Sequence, residues 1–490
     1  MSRDLQSSAS NGGLTVTVVP HVAMIPSAGM GHLSISVRLA ATLASHGCLV
    51  TFITPRPLVS DGESRAIADL HSSYPQIRFL DLRLLPFDAP DVDPFLRQFE
   101  TIRRSASLLQ PLLTSVTPPL SAVIVDISLL SAFVPVTKAL RLPTYVTFIS
   151  SAMMLALLAV FPSVRKAAGD GPLAAVDIPG VGTSLPGSLI PPPLHDPKHL
   201  FAIQFLENGE ALLQADGVFI NTFSALEAET LAALNAGTVM PGLPPVIAVG
   251  PQEPVKFEGA RRAAVARRDS WAAWLDAQPP RSVLYVAFGN RTALPKEQIR
   301  ELGVGLEKSG CRFLWVVKSK IVDREDDAGV LLEDLLGEAY RERVGERGMV
   351  VKSWVDQDEV LAHPSVGGFL SHAGWNSVAE AALQGVRLFN WPSGGDQRVC
   401  ALVADKCGAG VWVKEWGWSS SGRSNEETPT VNGEDIGKRL RELMGDAALC
   451  ESTARIREAA LRSVGVGGMS YEALRSFIAG LAARETPHKA

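Results

Sequence analysis

The stretch that most constrains the fold of this chain runs from residue 354 to residue 397 and is 44 residues long. It contains a short apolar run, Val366 to His372, of the kind that forms a buried strand. Small residues follow, and Ser377 to Gln384 then has the pattern of a helix that ends at Gly385. A strand that passes through a tight turn into a helix directs backbone N–H groups and the positive end of the helix dipole at one point. The stretch therefore predicts a binding site for phosphate.

The end of the same stretch adds groups suited to a sugar. A second apolar strand is predicted from Val386 to Trp391, and the polar pair Asp396 and Gln397 follows it. Carboxylate and amide groups bind sugar hydroxyls by hydrogen bonds, and Trp side chains offer flat rings for stacking. The stretch thus combines an anion site with sugar-binding groups.

This stretch resembles the signature box of plant family 1 glycosyltransferases, which bind UDP-sugars, and it has the full length of that box. It departs from the family pattern at Ala373 (usually Cys), at Val355-Asp356 (usually Ala-Pro) and at Asp396 (often Glu), and none of these changes removes a polar group that the site needs. The resemblance implies a UDP-glycosyltransferase of the hexosyltransferase type. The matching positions are Trp354, Gln357, His363, Pro364, Gly367, Gly368, Phe369, His372, Gly374, Trp375, Asn376, Ser377, Glu380, Gly385, Trp391, Pro392 and Gln397.

The composition is typical of a large cytoplasmic protein. The chain has 490 residues, 46% of them hydrophobic, so it can bury more than one core and two large α/β domains are expected. A net charge of −5 argues against a nucleic-acid partner. Five scattered cysteines without a CxxC pair fit reduced thiols. The polar N-terminus and the short apolar run at 152–161 predict neither a signal peptide nor a membrane span, so we expect a cytoplasmic monomer without membrane insertion.

The order of predicted elements indicates two similar halves. Residues 14–55 predict a strand, a helix and a strand, which is typical of a parallel sheet with helices on both faces. A second start of this kind is predicted at 282–309. Gly29 and Gly31 begin a GxGxxG pattern, but Ser34 takes its third position and no acidic residue is placed to bind a ribose. A nicotinamide or flavin site is therefore not favoured.

The family resemblance implies the GT-B architecture, an α/β fold in which two Rossmann-like doubly wound domains face a central cleft. A long surface loop at 169–199 would wall the active site, and a strand at 216–222 would be the last of the first domain. The predicted parts are a disordered tail (1–13), an N-terminal acceptor-binding domain (14–250), a linker (251–270), a C-terminal UDP-sugar-binding domain (271–466) and a C-terminal helix that packs on the N-terminal domain (467–490).

Two residues of the N-terminal half are candidates for a catalytic pair. His32 lies at the start of a helix, where the dipole disfavours imidazolium, so it is expected to be neutral and able to act as a base. Asp126 ends a buried strand, which is an unfavourable place for a carboxylate without a partner. It either bonds the far nitrogen of His32 or caps a turn through Ser128. The resemblance implies the His–Asp pair, with His32 as the catalytic base.

The resemblance also implies that the signature stretch binds the UDP-sugar. Trp354 would stack on uracil, His372 would hold the diphosphate, and Asp396 and Gln397 would contact the sugar. A final Gln is the family's usual pattern for glucose. The predicted UDP-sugar-binding residues are Gly31, Ser150, Ser151, Asn290, Trp354, Val355, Gln357, His372, Gly374, Trp375, Asn376, Ser377, Glu380, Asp396 and Gln397.

Glu380 has two interpretations. The pattern Ser377-x-x-Glu380 fits a capping box at the start of a helix. In the resembled family, the glutamate at this position binds the ribose hydroxyls. We favour the ribose role, because Asn376 or the diphosphate can satisfy the helix end instead.

No metal or cofactor is expected beyond UDP-glucose as co-substrate. Two D-x-D triplets, Asp91 to Asp93 and Asp356 to Asp358, lie in a Pro-rich loop and inside the signature stretch, and neither is a convincing metal site. On the acceptor side, Asp88 and Ser151 are candidates to bind a small phenolic molecule, although Asp88 equally fits a solvated loop.

Three stretches outside the signature box, at 125–143, 190–201 and 312–320, resemble the flavonoid C-glucosyltransferases of grasses. These enzymes act on 2-hydroxyflavanones and on dihydrochalcones such as phloretin. The leading prediction is an inverting UDP-glucose-dependent C-glucosyltransferase. The alternatives are a flavonoid O-glucosyltransferase, a bifunctional C-/O-glucosyltransferase, a nucleotide-sugar epimerase and an inactive UDP-sugar-binding protein.

Overall fold

The computed structural model describes residues 19–89, 92–255, 270–289, 293–318, 331–352, 355–418 and 429–485. They form two α/β domains, each built on a parallel sheet, which confirms the predicted fold class. The predicted tail (1–13) and most of the predicted linker (251–270) lie outside the described residues. Within the described residues, no helix is long and apolar enough to cross a bilayer.

Within its described residues, the N-terminal domain has nine strands. Seven strands form one parallel sheet, and the other two, β6 and β7, form a separate antiparallel pair. The strands are β1 (His21–Ile25), β2 (Leu49–Arg56), β3 (Arg78–Arg83), β4 (Ala122–Asp126), β5 (Thr144–Phe148), β6 (Ala175–Asp177), β7 (Ser184–Pro186), β8 (Gly217–Ile220) and β9 (Val246–Ala248).

The order in the large sheet is β3-β2-β1-β4-β5-β8-β9. Strands β1 and β4 are buried along their whole length, because helices cover both faces and each strand is almost continuously apolar. Two predictions need correction. The strand predicted at 216–222 is not the last, since the three-residue edge strand β9 follows and was too short to recognise beside its prolines. The loop predicted at 169–199 contains the β6–β7 pair.

The helices of this domain cover the sheet on both faces, and three of them, α1, α3 and α6, begin at the cleft. Their bounds are α1 (Met30–Ser45), α2 (Asp61–Ser73), α3 (Pro94–Arg104), α4 (Leu109–Thr114), α5 (Leu130–Ala139), α6 (Ala152–Ala168), α7 (Leu200–Ala211) and α8 (Ser224–Asn235).

The C-terminal domain repeats this plan with a parallel sheet, in which the described part of the chain supplies six strands. Its strands are β10 (Val283–Ala287), β11 (Arg312–Val316), β12 (Gly348–Val351), β13 (Val366–Ser371), β14 (Arg387–Asn390) and β15 (Gly410–Trp412), in the order β12-β11-β10-β13-β14-β15. The remaining helices are α9 (Ser270–Asp276), α10 (Lys296–Ser309), α11 (Leu332–Leu336), α12 (Tyr340–Val344), α13 (Gln357–Ala362), α14 (Trp375–Gln384), α15 (Gln397–Lys406), α16 (Gly433–Gly445), α17 (Ala447–Val464) and α18 (Met469–Glu485).

The last helix, α18, packs against the N-terminal domain, as predicted. Leu474, Phe477 and Leu481 are buried in a core that includes strand β1. The ring of Phe477 meets Tyr145 and Phe219 edge to face, with both pairs of ring centroids 4.8 Å apart. The last helix therefore belongs to the core of the N-terminal domain.

In both sheets, the strand order changes direction at a point next to the cleft. The chain turns outward from β1 to β2 and returns to β4 on the other side, and β10 and β13 have the same relation in the second sheet. Ligands of open α/β sheets bind at the carboxyl ends of such strands. His32 follows β1 and Asp126 ends β4, while His372 follows β13.

Candidate active site

The predicted His–Asp pair is present at the carboxyl end of the N-terminal sheet. His32 lies in the first turn of α1, and its Nδ1 is 2.8 Å from Oδ2 of Asp126. Strands β1 and β4 are parallel neighbours, so the residues after one and at the end of the other meet. Asp126 is fully buried and His32 is 8% exposed. The pair thus has one buried member and one at the edge of the cleft.

The two interpretations of Asp126 are both realised, because its two oxygens have different partners. Oδ1 accepts hydrogen bonds from the backbone N–H of Ser128 at 2.9 Å and from its hydroxyl at 2.7 Å, while Oδ2 faces His32. An ionised carboxylate can only accept, so Nδ1 of His32 must carry the shared proton. The lone pair of the imidazole is then on Nε2, which is the arrangement that a general base needs.

An aromatic wall from helix α3 covers His32. The Phe99 ring meets the imidazole edge to face with centroids 4.9 Å apart, and the Phe95 centroid lies at 5.8 Å. Gly29, which precedes α1, has φ +90°, and a side chain there would also clash with Phe95. Asp88, in the loop before α3, is exposed, and no hydrogen bond within the described residues joins it to the His–Asp pair. The wall rather than Asp88 borders the base.

On the facing domain, the predicted strand–turn–helix is present, but its helix begins earlier than predicted. Helix α14 starts at Trp375 with Gly374 as its N-cap, and no side chain caps it. Ser377 is therefore inside the first turn, and the capping-box interpretation of Ser377 and Glu380 is wrong. Ala373 in the turn has φ +64°, an unusual conformation for a residue with a side chain. The uncapped N–H groups of α14 remain available to an anion.

His372 lies between two glycines of this site. A Cβ atom on Gly289 or Gly374 would be 2.9 Å or 2.6 Å from its Nε2, so both glycines give the ring its space. Burial, with a further contribution from Lys318, lowers the pKa of His372 to about 4. Its Nδ1 is buried and has no hydrogen-bond partner within the described residues. The imidazole is therefore neutral near pH 7 and offers one N–H donor.

Lys318 brings a positive charge to the same place, and sequence reasoning did not single it out. Its Nζ donates to the backbone oxygen of Gly289 at 3.1 Å. Burial lowers its pKa to about 8. A cation beside a neutral imidazole and a helix N-terminus makes this end of the cleft favourable for a diphosphate.

Glu380 lies one turn further along α14 and is bound from two directions. Its Oε2 accepts from the side-chain amide of Gln357 at 2.7 Å, and that amide also donates to the hydroxyl of Ser377 at 2.9 Å. Its Oε1 accepts from Arg38, in α1 of the other domain, at 2.7 Å. Three predicted residues are thus joined into one polar group with Arg38, which the sequence did not indicate.

The predicted sugar-binding residues Ser150 and Asp396 meet across the cleft. The Ser150 hydroxyl donates to Oδ2 of Asp396, which also lies 3.6 Å from the sulfur of Cys400. The side-chain oxygen of Gln397 accepts from the backbone of Ser393 at 2.8 Å, which holds the preceding loop in place. These groups border the cleft between the end of β5 and the start of α15.

Two more predicted residues connect the domains. Asn376 Nδ2 donates to the backbone oxygen of Gly31 at 3.1 Å, and its Oδ1 is buried without a described partner. The Trp375 indole N–H donates to the backbone oxygen of Asn221 at 2.8 Å, so its side chain serves the domain contact. The start of α14 therefore touches the start of α1.

Of the remaining predicted residues, the two that the structure describes are not brought to the surface of the cleft. Trp354 and Asn290 lie outside the described residues. Val355 is buried in the core. Ser151 is fully buried, and its hydroxyl caps α6 by accepting from the N–H of Met154 at 3.2 Å. Trp391, one of the Trp residues of the signature stretch, is also fully buried. Ser150, rather than Ser151, faces the other domain.

A second buried carboxylate, Glu227, was not recognised from the sequence. It accepts from the backbone N–H groups of Ala152 and Met153 at 2.8 and 3.0 Å and from the hydroxyl of Thr222 at 2.8 Å. Burial raises its pKa to about 7, against the effect of these hydrogen bonds. Glu227 thus closes the N-terminus of α6, where a ligand would otherwise find free N–H groups.

The three D-x-D carboxylates that the structure describes are engaged in other roles. Asp356 caps α13, Asp93 caps α3, and Asp358 pairs with Arg38. Asp91 lies outside the described residues. Within the part of the chain that the structure describes, no group of three His, Cys, Asp or Glu residues is arranged to hold a metal ion.

The fold and this cleft define a class of protein, the GT-B glycosyltransferases. A sequence model of the family described as "UDP-glucoronosyl and UDP-glucosyl transferase" matches residues 251–435. The UDP-glycosyltransferase CGT of Oryza sativa subsp. indica is 48% identical over 464 residues, which cover 94% of this chain and 95% of that protein. The chain belongs to the UDP-glycosyltransferases, and its relatives place it in plant family 1.

Solved structures agree with this assignment. The structure of LpCGTa in complex with UDP is 47% identical, has a TM-score of 0.82 and covers 95% of this chain and 99% of that one. The structure of Phytolacca americana UGT2 with UDP-2fluoro-glucose and pterostilbene is 27% identical, with a TM-score of 0.78 and coverage of 95% and 100%. The likeness extends over both domains.

Proposed function

We propose that the chain is an inverting UDP-glucose-dependent glucosyltransferase that forms C-glucosides of flavonoid-type phenolics. Suitable acceptors are 2-hydroxyflavanones and phloretin-like dihydrochalcones. The observation that carries the proposal is the hydrogen-bonded His32–Asp126 pair, which stands at the edge of the same cleft as the turn around His372. A base on one side and an anion site on the other are what transfer of a sugar from UDP requires.

The proposed reaction is a single displacement at C1 of glucose. Nε2 of His32 takes the proton of an acceptor hydroxyl, and Asp126 stabilises the imidazolium that forms. In a phloroglucinol-type ring the negative charge is shared with the carbon ortho to the oxygen. That carbon attacks C1 from the face opposite UDP, and the C–C bond forms as the C–O bond to UDP breaks. The ring carbon then gives its proton to solvent while the imidazolium of His32 returns a proton to the ring oxygen, which restores aromaticity.

The proposed donor site is the start of α14 with its neighbours. The neutral His372 and the free N–H groups of the helix stabilise the charge that develops on UDP as it leaves, and Lys318 adds a positive charge. Glu380 binds the ribose hydroxyls. We propose that no metal is needed, because these groups supply the electrostatic stabilisation and the described D-x-D carboxylates are engaged elsewhere. Full activity in excess EDTA would support this, and a loss that Mg²⁺ restores would contradict it.

The names of two relatives support attack by carbon, and the aromatic wall supports a phenolic acceptor. The rice relative and the solved LpCGTa carry CGT in their names, the usual abbreviation of C-glucosyltransferase, and both are nearly half identical to this chain. The aromatic wall of Phe95 and Phe99 beside His32 gives a flat phenolic ring a surface to pack on. A small change in ring placement would direct the oxygen to C1 instead.

The test is incubation of the protein with UDP-glucose and phloretin, with products identified by mass spectrometry before and after acid treatment. A glucoside that survives acid supports the proposal, and one that hydrolyses indicates O-glucosylation. Conversion of UDP-glucose without acceptor would indicate an epimerase, and UDP binding without turnover a binding protein. The His32→Ala variant should lose activity by about 10²–10⁴-fold while it still binds UDP. Wild-type turnover in this variant would disprove its role as the base.

A further inference from the structure

Arg38 is a buried cation that connects the two domains. It lies in α1, six residues after His32, and is 8% exposed among mostly apolar neighbours. Its Nη2 donates to Glu380 Oε1 at 2.7 Å and to Asp358 Oδ2 at 2.8 Å. Both carboxylates belong to the C-terminal domain. A single guanidinium from the acceptor domain therefore neutralises part of the charge of two carboxylates in the donor domain.

These two carboxylates lie close together, and the charge of Glu380 opposes the ionisation of Asp358. The side chains of Glu380 and Asp358 are 9% and 27% exposed. Burial, followed by the charge of Glu380, raises the pKa of Asp358 to about 7, and Asp356 acts in the same direction while Arg38 opposes it. Without the guanidinium, the two carboxylates would repel each other, and Glu380 would lose the partner that fixes its Oε1.

We propose that Arg38 is a positioning residue of the donor site, supplied by the facing domain, that holds Glu380 in the orientation for the ribose against the repulsion of Asp358. The inference rests on the proposed function, in which Glu380 binds the ribose hydroxyls. A carboxylate accepts hydrogen bonds on both oxygens, so the orientation of the group decides whether both can reach a diol. Gln357 orients Oε2 and Arg38 orients Oε1, which leaves further lone pairs of each oxygen for the two hydroxyls of the diol.

The same contact couples the two halves of the reaction. Helix α1 carries His32 at its first turn and Arg38 near its middle, so the helix that presents the base also completes the donor site. Full affinity for the donor then requires the two domains to be together.

The experiment compares binding of UDP and of 2′,3′-dideoxy-UDP by calorimetry. For Arg38→Gln we expect UDP affinity to fall about tenfold or more, whereas affinity for the dideoxy ligand, which lacks the diol, changes little. Adding Asp358→Asn to Arg38→Gln removes the competing carboxylate and should restore part of the UDP affinity. Arg38→Lys retains the charge and should lie between wild type and Arg38→Gln. In assays, KM for UDP-glucose should rise more than kcat falls.

The matched control is Arg56→Gln, which removes an exposed ion pair with Asp81 in the same domain and should leave both affinities unchanged. Unaltered UDP binding in Arg38→Gln, an equal loss for both ligands, or no recovery on adding Asp358→Asn would each overturn the inference. If Arg38→Gln fails to fold, the same comparison of the two ligands is made with Arg38→Lys. Absence of UDP binding by the wild-type protein would instead refute the proposed function.

Discussion

At the scale of single residues, Asp126 shows how a buried carboxylate can serve structure and chemistry together. In Asp126→Asn, the side-chain oxygen is expected to keep the N–H of Ser128, which turns the NH₂ group towards His32. Nδ1 would then have to accept, and Nε2 would carry the proton that a base must not have. We predict a fall in kcat of about 10²–10⁴-fold with unchanged UDP affinity, measured by steady-state kinetics and calorimetry.

Ser128→Ala is the control for this prediction. It removes the hydroxyl donor at 2.7 Å but leaves the backbone donor and the His32 contact. Its kcat should therefore fall far less than that of Asp126→Asn. Equal losses in the two variants would mean that the carboxylate acts by holding the turn and not by setting the tautomer of His32.

The environment of His372 predicts how the stability of the protein depends on pH. Its pKa in the folded protein is about 4, below its ordinary value of 6.5. Between these values the unfolded chain binds the extra proton and the folded protein does not, so this group's stabilisation is full above pH 6.5 and is lost as the pH falls towards 4. The ligand-free wild type should lose up to about 3 kcal/mol relative to His372→Asn over this range. The measurement is thermal unfolding of both proteins from about pH 7.5, above the unfolded pKa, to about pH 4.5, close to the folded pKa. The same dependence of stability on pH in both proteins would contradict the prediction.

At the scale of elements, the turn from β13 into α14 works because Gly374 has no side chain. Its φ of −61° suits any residue, so the requirement is for space: a Cβ atom would lie 2.6 Å from Nε2 of His372. We predict that Gly374→Ala displaces the imidazole and weakens UDP binding by about tenfold or more, measured by calorimetry.

The control for Gly374→Ala is the same substitution at Gly480 in α18, where a new Cβ atom would meet no atom within 4 Å. Because Ala favours a helix over Gly by up to about 1 kcal/mol, this variant should be at least as stable as wild type and bind UDP equally well. Unchanged UDP affinity in Gly374→Ala would show that UDP binding does not depend on the position of the His372 imidazole.

At the scale of the whole molecule, α18 holds the end of the C-terminal half against the N-terminal sheet. Phe477 is 7% exposed and packs against Tyr145 and Phe219. Phe477→Ala leaves a cavity there and should lower stability by about 3–5 kcal/mol, seen as a lower Tm. The exposed Val466, at 86%, provides the control, because Val466→Ala should not change the Tm. A Tm of Phe477→Ala equal to that of wild type would mean that α18 docks without contributing stability.

The sequence by itself determined the class of fold and the position of each half of the site. Strands such as VGGFLS and AVIVD are continuous apolar runs, and a sheet covered on both faces needs such runs, so local pattern and tertiary environment agree. The predicted start of α14 was two residues late because no side chain caps it, and edge strand β9 was too short to give a pattern.

Only the tertiary structure decided which side chains meet across the cleft. Arg38 and Glu380 are 342 positions apart, and no local pattern encodes a contact over that separation. The pairing of Ser150 with Asp396 likewise depends on how the two domains pack. The burial of Ser151 and Trp391 and the neutral state of His372 depend on packing within one domain, because desolvation and partner choice are properties of the folded chain. Sequence periodicity reports which face of an element is buried, whereas the chemistry of this site depends on what the other domain brings to that face.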